Sequence, residues 1–136
     1  MHALVPLTNQ EEAVKEVLQQ LHFEYKVHTI FPFGNRAIVP DFFLPRHNLV
    51  IECWMSESRR GVALGWAERN AAFIDLKFRR LKENYLGIRC LGLVELRQVD
   101  LGSLQEVVGP IMAHADFMLY SMRELEAIVE TLSRVI

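Results

Sequence analysis

The chain is poor in the features that assign a protein at sight. It has two cysteines, Cys53 and Cys90, too few for a disulfide scaffold and without the spacing of a metal site. Both fall in apolar, strand-like runs and read as reduced core thiols. No apolar run is long enough to span a membrane, and the N-terminus lacks the charged-then-apolar pattern of a leader. The expectation is therefore a cytoplasmic protein. There are no repeats, low-complexity segments or linkers. There is no phosphate-cradling glycine loop and no Ser/His/Asp arrangement, and the five histidines are scattered. A net charge of −2 excludes a globally basic nucleic-acid binder.

What is present fits a folded α/β chain. Hydrophobic residues at 51% against 24% charged place it among globular proteins rather than disordered ones. At 136 residues it is expected to be one domain. Its core would span about 8–96, with a helical extension over about 101–136.

The order of elements follows from periodicity and capping. Thr8-Asn9-Gln10-Glu11 is a capping box. Val14, Val17, Leu18 and Leu21 follow at helical spacing, predicting a helix over about 9–21. Residues 23–33 alternate in part and read as a strand, and Gly34-Asn35 predicts a hairpin into 36–44. A second hairpin over Arg46–Asn48 leads into a strand at 49–54. Residues 56–65 read as a loop or frayed helix start. Ile74, Phe78, Leu81 and Tyr85 form the buried stripe of a helix over about 66–84, with Lys77 beside that stripe. Another strand is expected over 88–96. Ser103-Leu104-Gln105-Glu106 is a second capping box, opening a helix that Gly109-Pro110 would kink. A short strand over 117–120 precedes a third box, Ser121-Met122-Arg123-Glu124, and a last helix. The order is helix, three strands, helix, strand, then a mostly helical extension.

The two runs flanking the second hairpin carry the chemistry. Val39-Pro40-Asp41-Phe42-Phe43-Leu44-Pro45 and Leu49-Val50-Ile51-Glu52-Cys53-Trp54 hold one carboxylate each. Strands this apolar lie inside a sheet, where a charge needs a reason to be present. If the two strands pair across the turn, Asp41 and Glu52 can converge on one face. Converging buried carboxylates repel unless a cation lies between them. The basic residues are also unevenly placed. Arg59, Arg60, Arg69, Lys77, Arg79, Arg80 and Lys82 face only Glu68 and Asp75 within the same stretch. That stretch is either a solvated helix face or a phosphate-facing patch.

Pro40-Asp41, ten intervening residues, and then Glu52 resemble the signature of the PD-(D/E)XK nucleases. Within that superfamily the chain is most similar to the very-short-patch-repair-like endonucleases. Pro40–Pro45, Ile51-Glu52, the basic stretch Asp75–Lys82 and Gly87–Leu91 stand in their order, and the likeness spans roughly Thr8 to Glu95. The resemblance implies the restriction-endonuclease-like fold, an αβββαβ core with a mixed central sheet flanked by helices. It also implies a metal-dependent DNA endonuclease using Mg2+ or Mn2+. In that reading Asp41, Glu52 and the carbonyl of Cys53 bind the metal, and Glu11 joins them. Glu11 has a second reading as a capping residue, since the chain repeats that box three times. Arg59, Arg60, Arg69, Arg79 and Arg80 would meet DNA phosphates.

One position departs from the family pattern. The Lys expected two residues after the Glu is Trp54, and an indole cannot stabilise an anion by charge. Lys77 is the candidate substitute, with Lys26 and His47 behind it. Lys77 also has an ordinary reading, as a helix Lys with its stem on apolar surface. Trp54 reads as core, or as a ring that stacks on a base or sugar. Loss of the motif Lys supports a second function class. That is a catalytically inactive module for nucleic-acid or protein binding, with the C-terminal helices as a partner or homodimer surface.

Overall fold

A computed structural model describes residues 9–56, 63–96 and 99–133. It is an α/β fold: a mixed five-stranded sheet with helices on both faces. The strands are β1 (Lys26–Val27), β2 (Phe31–Phe33), β3 (Arg36–Ile38), β4 (Phe42–Leu44), β5 (Leu49–Ser56), β6 (Arg89–Leu96) and β7 (Phe117–Leu119). The helices are α1 (Asn9–Gln20), α2 (Ala63–Asn84), α3 (Leu101–Ile111) and α4 (Met122–Ser133). The main sheet runs β1-β4-β5-β6-β7, and β2 pairs with β3 in a separate ribbon. β1, β4 and β5 are antiparallel neighbours, while β6 and β7 join in parallel through the α2 and α3 crossovers. Among the described residues no helix is long and apolar enough to cross a membrane.

Period-two alternation along the central strands divides the interior into two cores. Val50, Cys90 and Val94 face α2 and α3, where Ala71, Ile74, Phe78, Leu81, Leu104 and Val108 cover them. Leu49, Ile51, Leu91 and Leu93 face the other way, onto Val14 and Leu18 of α1 and Leu125 of α4. Each fully buried Leu or Phe contributes about 1.5–3 kcal/mol relative to exposure. The two cysteines lie on opposite faces, one in each layer, and both are free thiols.

The chain departs from the expected meander at two points. The strand expected over 23–33 is broken at His28, which adopts a left-handed conformation (φ 51) and separates β1 from β2. The strand expected over 36–44 is broken before Asp41, where Pro40 has no N–H to give to a ladder. The β2–β3 ribbon, turning at Gly34-Asn35 as expected, tucks Phe31 and Ile38 under α2. The Tyr85 hydroxyl donates to the Pro32 carbonyl and ties the ribbon down. The hairpin over 46–48 forms through a short 3-10 turn, Pro45–His47, closed by Asn48 in the left-handed region (φ 48).

Helix starts were partly displaced from expectation. α2 begins at Ala63. α3 begins at Leu101, because Asp100 caps it by accepting from the Ser103 amide at 3.0 Å. In α4 the Ser121–Glu124 pair caps the helix with each bond shifted by one residue from the expected box: Ser121 Oγ accepts from the Arg123 amide at 3.2 Å and the Glu124 carboxylate accepts from the Tyr120 amide at 2.7 Å. The segment after 101 is more than a helical extension. It adds β7 to the sheet, and α3 and α4 send Leu104, Val108 and Leu125 into the two cores.

Candidate active site

Strand register brings the acidic residues together. β4 pairs with β5 through Phe42↔Ile51, so the register continued by one residue sets Asp41 across from Glu52. β1 pairs with β4 through Val27↔Phe42, and the His28 amide donates to the Asp41 carbonyl at 3.3 Å. His28, Asp41 and Glu52 therefore stand abreast at the end of the β4 ladder. On its far side Glu52 pairs with Gly92 of β6. The space beside Gly92 is filled by Met112, Met118 and Phe78.

Glu52 is the buried charged residue of the described chain, at 4% exposure. Burial and the neighbouring Asp41 carboxylate push its pKa up to about 8, and Lys77 opposes them. Lys77 comes from the middle of α2, and its Nζ stands 2.9 Å from Glu52 Oε1. Ile74, Phe78 and Leu81 fix the face of α2 that meets the sheet, and this aims Lys77 at the carboxyls.

Asp41 is oriented by β5. The Cys53 amide donates to Asp41 Oδ2 at 2.9 Å, and the Cys53 thiol approaches the same oxygen at 3.6 Å. Burial and Asp41 push the thiol pKa far up, so Cys53 is a neutral donor. The amide and thiol of Cys53 thus support the Asp41 carboxylate.

Glu11 enters from the opposite layer. It precedes Val14 by three and Leu18 by seven, on the stripe of α1 that faces the sheet. Glu11 Oε2 lies 3.2 Å from His28 Nε2. One ligand atom each from Glu11, His28 and Asp41 lie within 4.8 Å of one another. His28 escapes sequence reasoning because nothing local marks it. Only the kink between β1 and β2 delivers it, and three-dimensional pairing sets that kink.

The remaining candidates are placed as follows. Trp54 is partly buried and packs against the α2-side core, so its core reading holds. His47 sits in the turn at the other end of the β4–β5 hairpin, against the Phe23 ring with centroids 5.1 Å apart. Lys26 is exposed on the edge strand β1. Neither is brought to the carboxyls. Arg69, Arg79 and Arg80 lie on α2, with Arg79 3.4 Å from Glu83 and the Arg80 guanidinium 6.0 Å from the Phe33 ring centre. Arg59 and Arg60 lie outside the described residues. Asp75 and Lys82 of the basic stretch have structural partners: Asp75 accepts from the His114 amide at 2.8 Å, and Lys82 meets Asp116 at 2.6 Å.

No family model, curated protein or solved structure matches the chain.

Proposed function

We propose that the chain is a divalent-metal-dependent nuclease of the PD-(D/E)XK kind, hydrolysing phosphodiester bonds of DNA. The observation that carries this reading is Lys77 Nζ at 2.9 Å from Glu52 Oε1, beside Asp41. The strand position that should hold the cation is Trp54, and a cation from α2 stands where its charge is needed. The antiparallel β4–β5 hairpin, the α2 crossover and the parallel β6 support placing the chain in the restriction-endonuclease-like fold.

The donor set suits a hard or borderline divalent cation. Glu11 and Asp41 offer carboxylate oxygens and His28 an imidazole nitrogen, all within 4.8 Å. Adjacent ligands of a six-coordinate ion at about 2.1 Å lie roughly 3 Å apart, comparable to the 3.2 Å between Glu11 and His28. Mixed oxygen and imidazole donors favour Mn2+ or a neighbouring first-row ion over Mg2+. Such an ion, when bound, would lower the pKa of water and neutralise charge on the phosphate.

The chain's own residues would divide the remaining work. Asp41, held by the Cys53 amide, fixes the position of the ion relative to β5. The positive charge of a bound cation, added to that of Lys77, would favour the ionised form of Glu52, which would then accept the proton of the attacking water. Lys77 also faces the negative charge growing on the phosphate oxygens. Water oxygen bonds to phosphorus, the bond from phosphorus to the leaving sugar oxygen breaks, and that oxygen takes up a proton from solvent while Glu52 returns its own to solvent.

Incubating the protein with single-stranded, branched and duplex DNA in Mn2+ or Mg2+ tests this. Wild type should cut at least one substrate, and Asp41→Ala should cut none. Equal inertness of both proteins on every substrate contradicts the enzyme reading and leaves a non-catalytic module in its place.

A further inference from the structure

Phe73 is 68% exposed on the outer face of α2, and Leu76 beside it is 42% exposed. A single bare apolar side chain is ordinary on a protein surface. The setting of this one is not. Arg69 precedes Phe73 by four residues and Lys77 follows it by four, so the three side chains form one ridge at one-turn intervals along the helix. Arg80, over the Phe33 ring, flanks the same ridge. The ridge ends at the site, because Lys77 is the residue that meets Glu52 at 2.9 Å.

We propose that Arg69, Phe73 and Lys77 form a platform that seats an unpaired nucleotide beside the carboxyls. The Phe73 ring stacks on the base, and the flanking cations meet the phosphates. The inference rests on the nuclease reading and adds a substrate class to it: single-stranded or locally unpaired DNA. A closed duplex keeps its base faces inside the stack and offers a protruding ring nothing to stack on. A single strand exposes those faces, and an aromatic within a cationic groove is the arrangement that binds them. Trp54, the other aromatic considered for stacking, is committed to the core. Phe73, by contrast, is open to solvent over most of its surface. The alternative occupant, a second copy of the chain, fits poorly. Two-fold pairing across this ridge would bring the Arg69, Lys77 and Arg80 cations of both copies into one interface.

The test uses the full chain in EDTA, with a twelve-residue oligo-dT and a closed hairpin duplex as probes. Phe73→Trp should bind oligo-dT like wild type, and its added indole fluorescence should be quenched on binding. Phe73→Ala should keep the wild-type circular dichroism and bind oligo-dT ~5- to 100-fold more weakly, with duplex binding unchanged. Equal loss for both probes, unaltered oligo-dT binding by Phe73→Ala, or binding without quenching overturns the platform and leaves the carboxyl site standing. Dissociation of a wild-type dimer by Phe73→Ala, with DNA binding intact, assigns the ridge to a second copy and also overturns it. Absence of any nucleic-acid binding by wild type overturns the platform and the nuclease reading together.

Discussion

Lys77 and Glu52 form a 2.9 Å ion pair between the middle of α2 and the strand beneath it, and one partner is almost fully buried while the other reaches solvent. A buried carboxyl with a second carboxyl beside it is costly to fold, and a single lysine only partly offsets that cost. The acidic site is therefore expected to reduce the stability of the chain when no cation is bound.

The first consequence is a pH dependence. The Glu52 pKa rises from 4.5 to about 8 on folding, through burial first and Asp41 second. The folded chain thus holds a proton that the unfolded chain releases above about pH 4.5. The stability this provides is complete below the unfolded value and is lost as pH rises through about 8. Urea unfolding of the metal-free protein should show stability falling over that window, with a slope of up to about 1.4 kcal/mol per pH unit. Asp41→Asn removes the neighbouring charge and should end the decline at a lower pH. A wild-type profile that rises across the same window would contradict the assignment.

Lys77→Met removes the cation and leaves the carboxyl cluster in place. Cleavage should fall by ~10²- to 10⁴-fold, while metal still binds. Lys77→Arg keeps the charge and should recover part of the loss. Single-turnover cleavage measures this directly, and undiminished turnover by Lys77→Met would remove Lys77 from the site.

Asp75 lies in the basic stretch of α2, but its contacts are structural. Its two oxygens meet the His114 amide at 2.8 Å and the His114 ring at 2.9 Å, which ties α2 to the turn before β7. Asp75→Ala orphans that amide and should cost about 1–3 kcal/mol of unfolding free energy. Metal affinity at a temperature where the variant is folded should be unchanged.

Much of this was legible in the sequence. Pro40-Asp41 and Ile51-Glu52 either side of a turn announced a hairpin, and a hairpin of fixed register places the two carboxyls abreast. Lys77 could be singled out because helical periodicity put it beside the Ile74-Phe78-Leu81 stripe, on the side that turned out to meet the site. His28 could not. Its place depends on a left-handed residue that interrupts a run of strand-like residues, and local propensity favours continuing the strand there. Glu11 carried two meanings, because a capping box and a ligand at the start of a helix use the same residue. The partner it meets, His28, comes from 17 positions further along the chain.

Arg69 should act through phosphate charge alone. Arg69→Ala is expected to weaken DNA binding evenly across sequences and to reduce the slope of log affinity against log salt by about 1. Titrations at several salt concentrations measure that slope, and an unchanged slope would place Arg69 away from the nucleic acid.

The central claim is that Glu11, His28 and Asp41 offer a binding place for one divalent cation beside Glu52. Mn2+ electron paramagnetic resonance of the full chain tests it without reference to turnover. The account predicts one bound Mn2+ per chain with a nitrogen coupling from an imidazole. That coupling should vanish in His28→Ala, and binding itself should be lost in Asp41→Ala. Mn2+ that stays free in the presence of wild type, or binds Asp41→Ala equally well, would contradict it.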